Sequence, residues 1–285
     1  MSDEETKKVV VGSNEPDINN TNPSGPSEVP EEFIDREFQV PTDDVPLPSE
    51  GIFYANNQKS VEIKYLTAED ENILLSPELI RSGRVLDVLL ENSVISKDLR
   101  PSEMLTGDRN AVLLALRTTG YGDEYDVKIT CSECGEEFSV TVILSKLKTK
   151  GLSDKPDNNG EFAVTLPKMK IPIKFRLLNG ADEARLTKVS ETGKRRLTKD
   201  ISVSTLLTER LLLHIMEANG NRDKIYIKKM ISAMPIYDSL FLREYIRNIE
   251  PGVDMTDFFT CTHCGATKEY DIPITAKLFW PNANI

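Results

Sequence analysis

The residues of this 285-residue chain best suited to chemistry are its four cysteines, which fall in two matching pairs. Cys131-Ser132-Glu133-Cys134-Gly135 and Cys261-Thr262-His263-Cys264-Gly265 both read C-x-x-C-G. Two residues between cysteines let one tight turn aim both sulfurs at one point. Two such turns supply a tetrahedral thiolate set of the kind that holds structural zinc. A glycine after each pair suits a turn that needs positive φ and close backbone approach. The spacing therefore predicts Cys131, Cys134, Cys261 and Cys264 as metal ligands, zinc as a structural cofactor, and a zinc ribbon split by 126 intervening residues. A closed four-sulfur site has no open position for water, so it holds structure and performs no reaction. Other readings of the cysteines are weaker. Disulfides need an oxidising compartment. A redox C-x-x-C would open a helix in a strand–helix–strand unit, whereas strand-like residues flank both pairs. Inert thiols would not be expected twice in one pattern. The spacing is met equally by halves within one chain or from two copies.

The elements that must carry these pairs are legible around them. Tyr125, Val127 and Ile129 alternate into Cys131, and Phe138, Val140, Val142 and Leu144 alternate out of Cys134. That period of two makes a hairpin with the cysteine turn at its tip. Phe258 and Phe259 lead into the second turn, and Tyr270, Ile272 and Ile274 leave it, so a second hairpin should pack beside the first. Ahead of them, Leu47–Leu66 reads as a hairpin with a polar turn at Asn56–Lys59. Thr67-Ala68-Glu69-Asp70 resembles a helix cap. Ser76-Pro77 opens a helical stretch that Gly83 kinks or divides, and a further helix runs from about Leu105 to the glycine stop at Gly120–Gly122. Between the pairs lie two strands, Phe162–Leu166 and Ile171–Phe175, which Pro167 and Pro172 confine to edges. Helices follow at Ala181–Leu186, from Asp200 to Ala218, at Ile225–Met234, and from a cap at Asp238 to Glu250-Pro251-Gly252. The expected fold is α+β: a helical body with β-hairpins and a split four-cysteine zinc ribbon. The expected divisions are a disordered acidic arm at 1–45, a hairpin and helical region at 46–122, the first ribbon half at 123–145, an inserted hairpin and helical region at 146–252, and the second ribbon half and tail at 253–285.

Charge is unevenly distributed. Residues 1–50 hold 13 acids against 3 bases, a net −10 of the chain's −11, which leaves residues 51–285 at −1. Seven of the 16 prolines also lie there, a composition that disfavours a packed core. Phe33, Ile34, Phe38 and Val40 among those acids form a candidate docking strip. A near-neutral body lacks the positive field of a general nucleic-acid binder. This counts against the main alternative, a zinc-ribbon nucleic-acid-binding module. No apolar run reaches the ~18 residues of a membrane span. Met1-Ser2-Asp3-Glu4-Glu5 lacks the basic and apolar regions of a signal peptide, so secretion is not expected.

Few other residues invite a chemical reading. Asp108, Arg109 and Tyr121 are the candidates for an enzyme, but Asp108 at a helix start more often caps the dipole and Arg109 pairs with a neighbour. His214 sits in an apolar helical run and reads as packed rather than catalytic. His263, between two thiolates, reads as exposed rather than a ligand. Gly193-Lys194-Arg195-Arg196 reads as a solvated loop. There is no P-loop, H-E-x-x-H, G-x-S-x-G or dinucleotide fingerprint, and an enzyme is not expected.

The order of features is itself distinctive. Leu47-Pro48-Ser49, Gly51 and Phe53-Tyr54 come first, then Leu66-Thr67-Ala68-Glu69-Asp70-Glu71 and Gly107-Asp108-Arg109-Asn110-Ala111. Gly120-Tyr121-Gly122, the two C-x-x-C pairs and Phe279-Trp280-Pro281 follow. Over about residues 46–281 this resembles the baseplate hub subunits and hub assembly proteins of T-even-like contractile-tailed phages. The resemblance implies a virion or tail-assembly role without catalysis. It implies other phage baseplate or tail proteins as partners, a possible homo-oligomer, and a place in the virion tail or in the bacterial host cytoplasm during assembly. It supplies no catalytic residues; the cysteines are assigned from their own spacing.

Overall fold

The computed structural model describes residues 39–196 and 202–279. The expected arm residues Phe33, Ile34 and Phe38, the cap Asp200, and Trp280-Pro281 lie outside them; Val40 is exposed. Strand β1, Thr42–Pro46, pairs antiparallel with β2, Ser60–Lys64, and buries Val45, Val61 and Ile63. Order in the hairpin thus begins four residues earlier than the sequence suggested. Leu47–Tyr54 is a run of turns instead of a strand, because Glu50 and Gly51 both take positive φ, outside the extended region. Thr67 and Asp70 form a reciprocal capping box on α1, Ala68–Leu74. The next apolar stretch is divided into α2, Pro77–Arg81, and α3, Val85–Ser93. Helix α4, Thr106–Tyr121, follows. Strands β3, Glu124–Thr130, and β4, Glu137–Ile143, form the first cysteine hairpin.

The insert begins with β5, Thr149–Lys150, then β6, Phe162–Thr165, and β7, Pro172–Phe175. Helix α5, Gly180–Thr192, is capped by Asn179 and Asp182. The basic tripeptide is strand β8, Lys194–Arg196, paired with β9, Ser202–Ser204, and not a loop. Only Leu206–His214, α6, is helical in the stretch expected to form one helix to Ala218. Ile215–Ala218 is strand β10. It pairs with β7, setting Ile215 opposite Phe175 and Ala218 opposite Ile173. The burial gained by that pairing overrides the helical pattern. Sheet order is β10-β7-β6, so β7 is central and not an edge. Pro172 is tolerated as the strand's first residue. Helices α7, Lys224–Ser232, and α8, Ile236–Ile249, complete the insert. Strand β11, Gly252–Val253, pairs with β5. The second cysteine hairpin is β12, Thr256–Thr260, and β13, Thr267–Asp271, and a 3-10 turn closes at Ala276–Phe279.

Two apolar cores result. One packs β1–β4, α1, α3 and α4 with Ile272, Leu278, Phe279, Cys131 and Cys261. The other gathers Phe162, Phe175, Ile215, Ile227, Leu242 and Ile249 from the insert. Helix α4 joins them: Leu105 at its start belongs to the second core, and Val112, Leu113 and Leu116 belong to the first. At the crossing a Cβ on Gly107 would lie 1.8 Å from the Pro251 carbonyl oxygen, so only glycine fits.

Candidate metal centre

The two cysteine hairpins repeat one another at a fixed offset of 130 residues. Asp126–Thr141 through Thr130–Glu137 pair in the first as Thr256–Asp271 through Thr260–Thr267 pair in the second. Each closes on a six-residue turn. Cys131 N donates to Glu136 O and Gly135 N to Cys131 O, both at 2.9 Å; Cys261 N donates to Ala266 O and Gly265 N to Cys261 O, again at 2.9 Å. Gly135 and Gly265 take φ of 75° and 73°, a region that L side chains rarely enter. The turn then aims the N–H of Glu133 at Cys131 Sγ and that of His263 at Cys261 Sγ, 3.4 Å each.

The sulfurs cross-pair between hairpins. Cys131 Sγ is 3.7 Å from Cys264 Sγ, Cys134 Sγ is 3.8 Å from Cys261 Sγ, and all four lie within 4.8 Å of one another. A tetrahedron with metal–sulfur bonds of about 2.3 Å has sulfur–sulfur edges of about 3.8 Å. The four free cysteines of one chain therefore converge with the separation that a tetrahedral ion requires and could hold a metal ion. Cys131 and Cys261 are 1% exposed, while Cys134 and Cys264 face solvent at the rim. The Cys131 thiol is drawn down, first by the Cys134 N–H and then by that of Glu133, while, against the pull of their own backbone donors, Cys134 and Cys264 are pushed up by burial and the neighbouring sulfurs.

Side chains on the hairpins reinforce the approach. The Tyr270 ring meets Phe138 edge-on at 5.9 Å, and its hydroxyl donates to Cys131 Sγ at 3.7 Å. Lys268 ion-pairs with Glu133, and the exposed His263 places Nε2 3.1 Å from the Glu137 carbonyl oxygen. That ring is engaged there and is not among the converging ligands. Alternation placed Tyr270 on a strand; nothing in the sequence marked it or Lys268 as a neighbour of the first hairpin. At the hairpins' other ends, buried Arg117 donates to the carbonyls of Leu278, Gly122 and Glu124.

The candidates for catalysis do not converge. Asp108 is buried and accepts from Ser49 N at 2.9 Å, Ser49 Oγ at 2.6 Å and the Tyr54 hydroxyl, so it holds the turns after β1 instead of capping α4. Burial pushes its carboxyl up against the pull of those bonds. Arg109 pairs with Asp87 and the Pro101 carbonyl. Tyr121 lies thirteen residues along the same helix, about 20 Å away, under the Arg117 guanidinium. Asp238 likewise does not cap α8: it accepts from the Lys168 and Met169 N–H groups, both at 2.8 Å. His214 is buried with Nδ1 2.8 Å from the Arg176 carbonyl oxygen, and burial pulls it down to about 4. A cleft of about 700 Å³ between Gly107, Lys150, Arg247, Glu250 and Asp271 is lined by both signs of charge.

Among the described residues no helix is long and apolar enough to cross a membrane. The sequence matches the model of the family described as T4 bacteriophage base plate protein over residues 52–280. Neither the curated proteins nor the solved structures compared with it gave a significant match.

Proposed function

This chain belongs to the T4 bacteriophage base plate protein family, and from that premise we propose that it is a non-enzymatic component of the baseplate hub, acting through contacts with other tail proteins in the assembled particle or during its assembly. The match covers both cysteine hairpins and the insert between them, so the reading applies to the folded body. Within that body Cys131, Cys134, Cys261 and Cys264 are read as ligands of one structural zinc ion, and the hairpins as the halves of a ribbon that residues 146–252 separate. The convergence of four sulfurs within 4.8 Å carries this reading. Thiolates suit zinc, and four of them leave no position for a reacting water. Glu133, Glu136 and Glu137 stand exposed around the first turn, which disfavours a nucleic-acid backbone as the partner.

The test is metal analysis together with native mass. The full chain should carry one zinc per monomer, and Cys261→Ser should lose it and fail to support tail assembly. A folded wild-type monomer without bound metal, or normal tails built with Cys261→Ser, would overturn the proposal.

A further inference from the structure

We propose that Tyr270 is an outer-shell partner of the metal centre, donating its hydroxyl proton to the Cys131 thiolate and so setting how tightly that sulfur is held. The inference rests on the reading of the four cysteines as one metal site. It starts from a departure from the 130-residue repeat. The turns match bond for bond, including the N–H donors to Cys131 and Cys261. The matching backbone of residues 126–141 and 256–271 would make the sites equivalent only if the side chains matched too, and at one position they do not. The counterpart of Tyr270 on the first hairpin is Val140, which has no hydroxyl to offer Cys261. Tyr270 reaches across to the other hairpin's sulfur, with its ring fixed against Phe138 at 74°. Among the described residues it is the side-chain O–H or N–H that bonds a cysteine sulfur.

Four thiolates around a divalent cation carry a net charge of −2. Each donor directed at a sulfur spreads that charge, and such outer-shell groups commonly change metal affinity by about 10–100-fold. A hydrogen-bonded thiolate is also a poorer nucleophile, so Cys131 should be the ligand that electrophiles attack last. The ring holds the hairpins together by packing; the hydroxyl acts on the sulfur. Tyr270→Phe separates the two, because it keeps the ring.

The experiment uses the full chain loaded with zinc or with cobalt(II). Tyr270→Phe should bind zinc about 10-fold more weakly in a competition titration with a chromophoric chelator. It should shift the sulfur-to-cobalt charge-transfer bands to lower energy and raise alkylation of Cys131, but not of Cys261, in a peptide map. As a check independent of the variant's folding, the cadmium-113 form of the wild type should show a slowly exchanging Tyr270 hydroxyl proton coupled to the metal. Wild-type protein that binds no metal would overturn the site itself. Wild-type protein that binds zinc, with Tyr270→Phe unchanged in affinity, cobalt spectrum and Cys131 reactivity, or with a freely exchanging hydroxyl in the cadmium form, would overturn the role of Tyr270 alone.

Discussion

Arg117→Met should loosen the two hairpins at the ends far from the cysteines. Arg117 is 1% exposed and sends Nε to Leu278 O at 2.6 Å, Nη2 to Glu124 O at 2.7 Å and Nη1 to Gly122 O. Glu124 opens the first hairpin and Leu278 follows the second, so one guanidinium bridges both exits, about 20 Å along the strand from the sulfurs. A hydrogen bond from a charged donor nets about 1.5–3 kcal/mol, and a stranded buried acceptor costs about 1–3 kcal/mol. Gly122 and Glu124 are exposed and their carbonyls can turn to water; Leu278 is buried and its carbonyl cannot. Methionine also relieves the burial of a charge, which already pulls the Arg117 guanidinium down and offsets part of the loss. The balance is a destabilisation of about 2–4 kcal/mol, against a typical total of 5–15 kcal/mol. Urea unfolding measures it, and hydrogen exchange locates it: the amides of Leu278 and Phe279 should exchange faster. In a cycle with Cys261→Ser the two changes should couple, because each clasp alone still limits how far the hairpins part. Stability within about 0.5 kcal/mol of wild type, or a loss that leaves exchange at Leu278 and Phe279 unchanged, would show that Arg117 does not tie the two hairpins together.

Two further outcomes follow from single contacts. Gly107→Ala should destabilise by about 1–3 kcal/mol or more in the same assay, because the new methyl meets the backbone at Pro251, which cannot rotate away; wild-type stability would show that α4 and β11 part freely. Glu250 is pushed up to about 7, first by burial and then by Glu183, against the opposing pull of Arg210 and Lys150. The native state then holds a proton that the unfolded chain has released, so this group's contribution falls as pH rises from about 4.5 to 7. His214, pulled down to about 4, has the opposite slope, losing its contribution as pH falls from about 6.5 to 4. Glu250→Gln should leave the His214 slope exposed between pH 4.5 and 6.5 and raise stability near pH 7; an unaltered pH profile would count against the assignment.

The sequence announced the hairpins because both signals there are local. Alternation reports which residues face inward, and C-x-x-C-G reports a turn, so β3, β4, β12 and β13 could be drawn from their own residues. The failures were of another kind. Ile215–Ala218 continues the apolar pattern of α6, and it becomes a strand only because β7 offers a partner forty residues earlier. Asp108 and Asp238 stand where caps stand, yet a distant turn claims each carboxylate, Asp108 through one N–H and two hydroxyls and Asp238 through two N–H groups. Tyr270 looked like one more alternating aromatic, and its role depends on a sulfur 139 residues away. Local chemistry was readable from spacing; chemistry made by the approach of remote segments was not.

That distinction also explains why the chain needs clasps. Among the described residues its sheets are two-stranded except for one of three strands, and a lone two-stranded sheet is marginal in water. The cysteine hairpins meet at Phe138 and Tyr270 and share the first core through Tyr125, Val127, Ile129 and Ile272, while Phe258 stays exposed. Beyond that core, closures between residues more than 120 apart bring them together: the sulfurs, through the proposed metal, and the Glu133–Lys268 pair at the tips, and Arg117 near the other end. Closing so long a loop costs conformational entropy once, and each later closure across the same gap costs far less. Four sulfurs, an ion pair and a buried guanidinium are therefore not independent small terms. Once one closure forms, the others need only orient side chains.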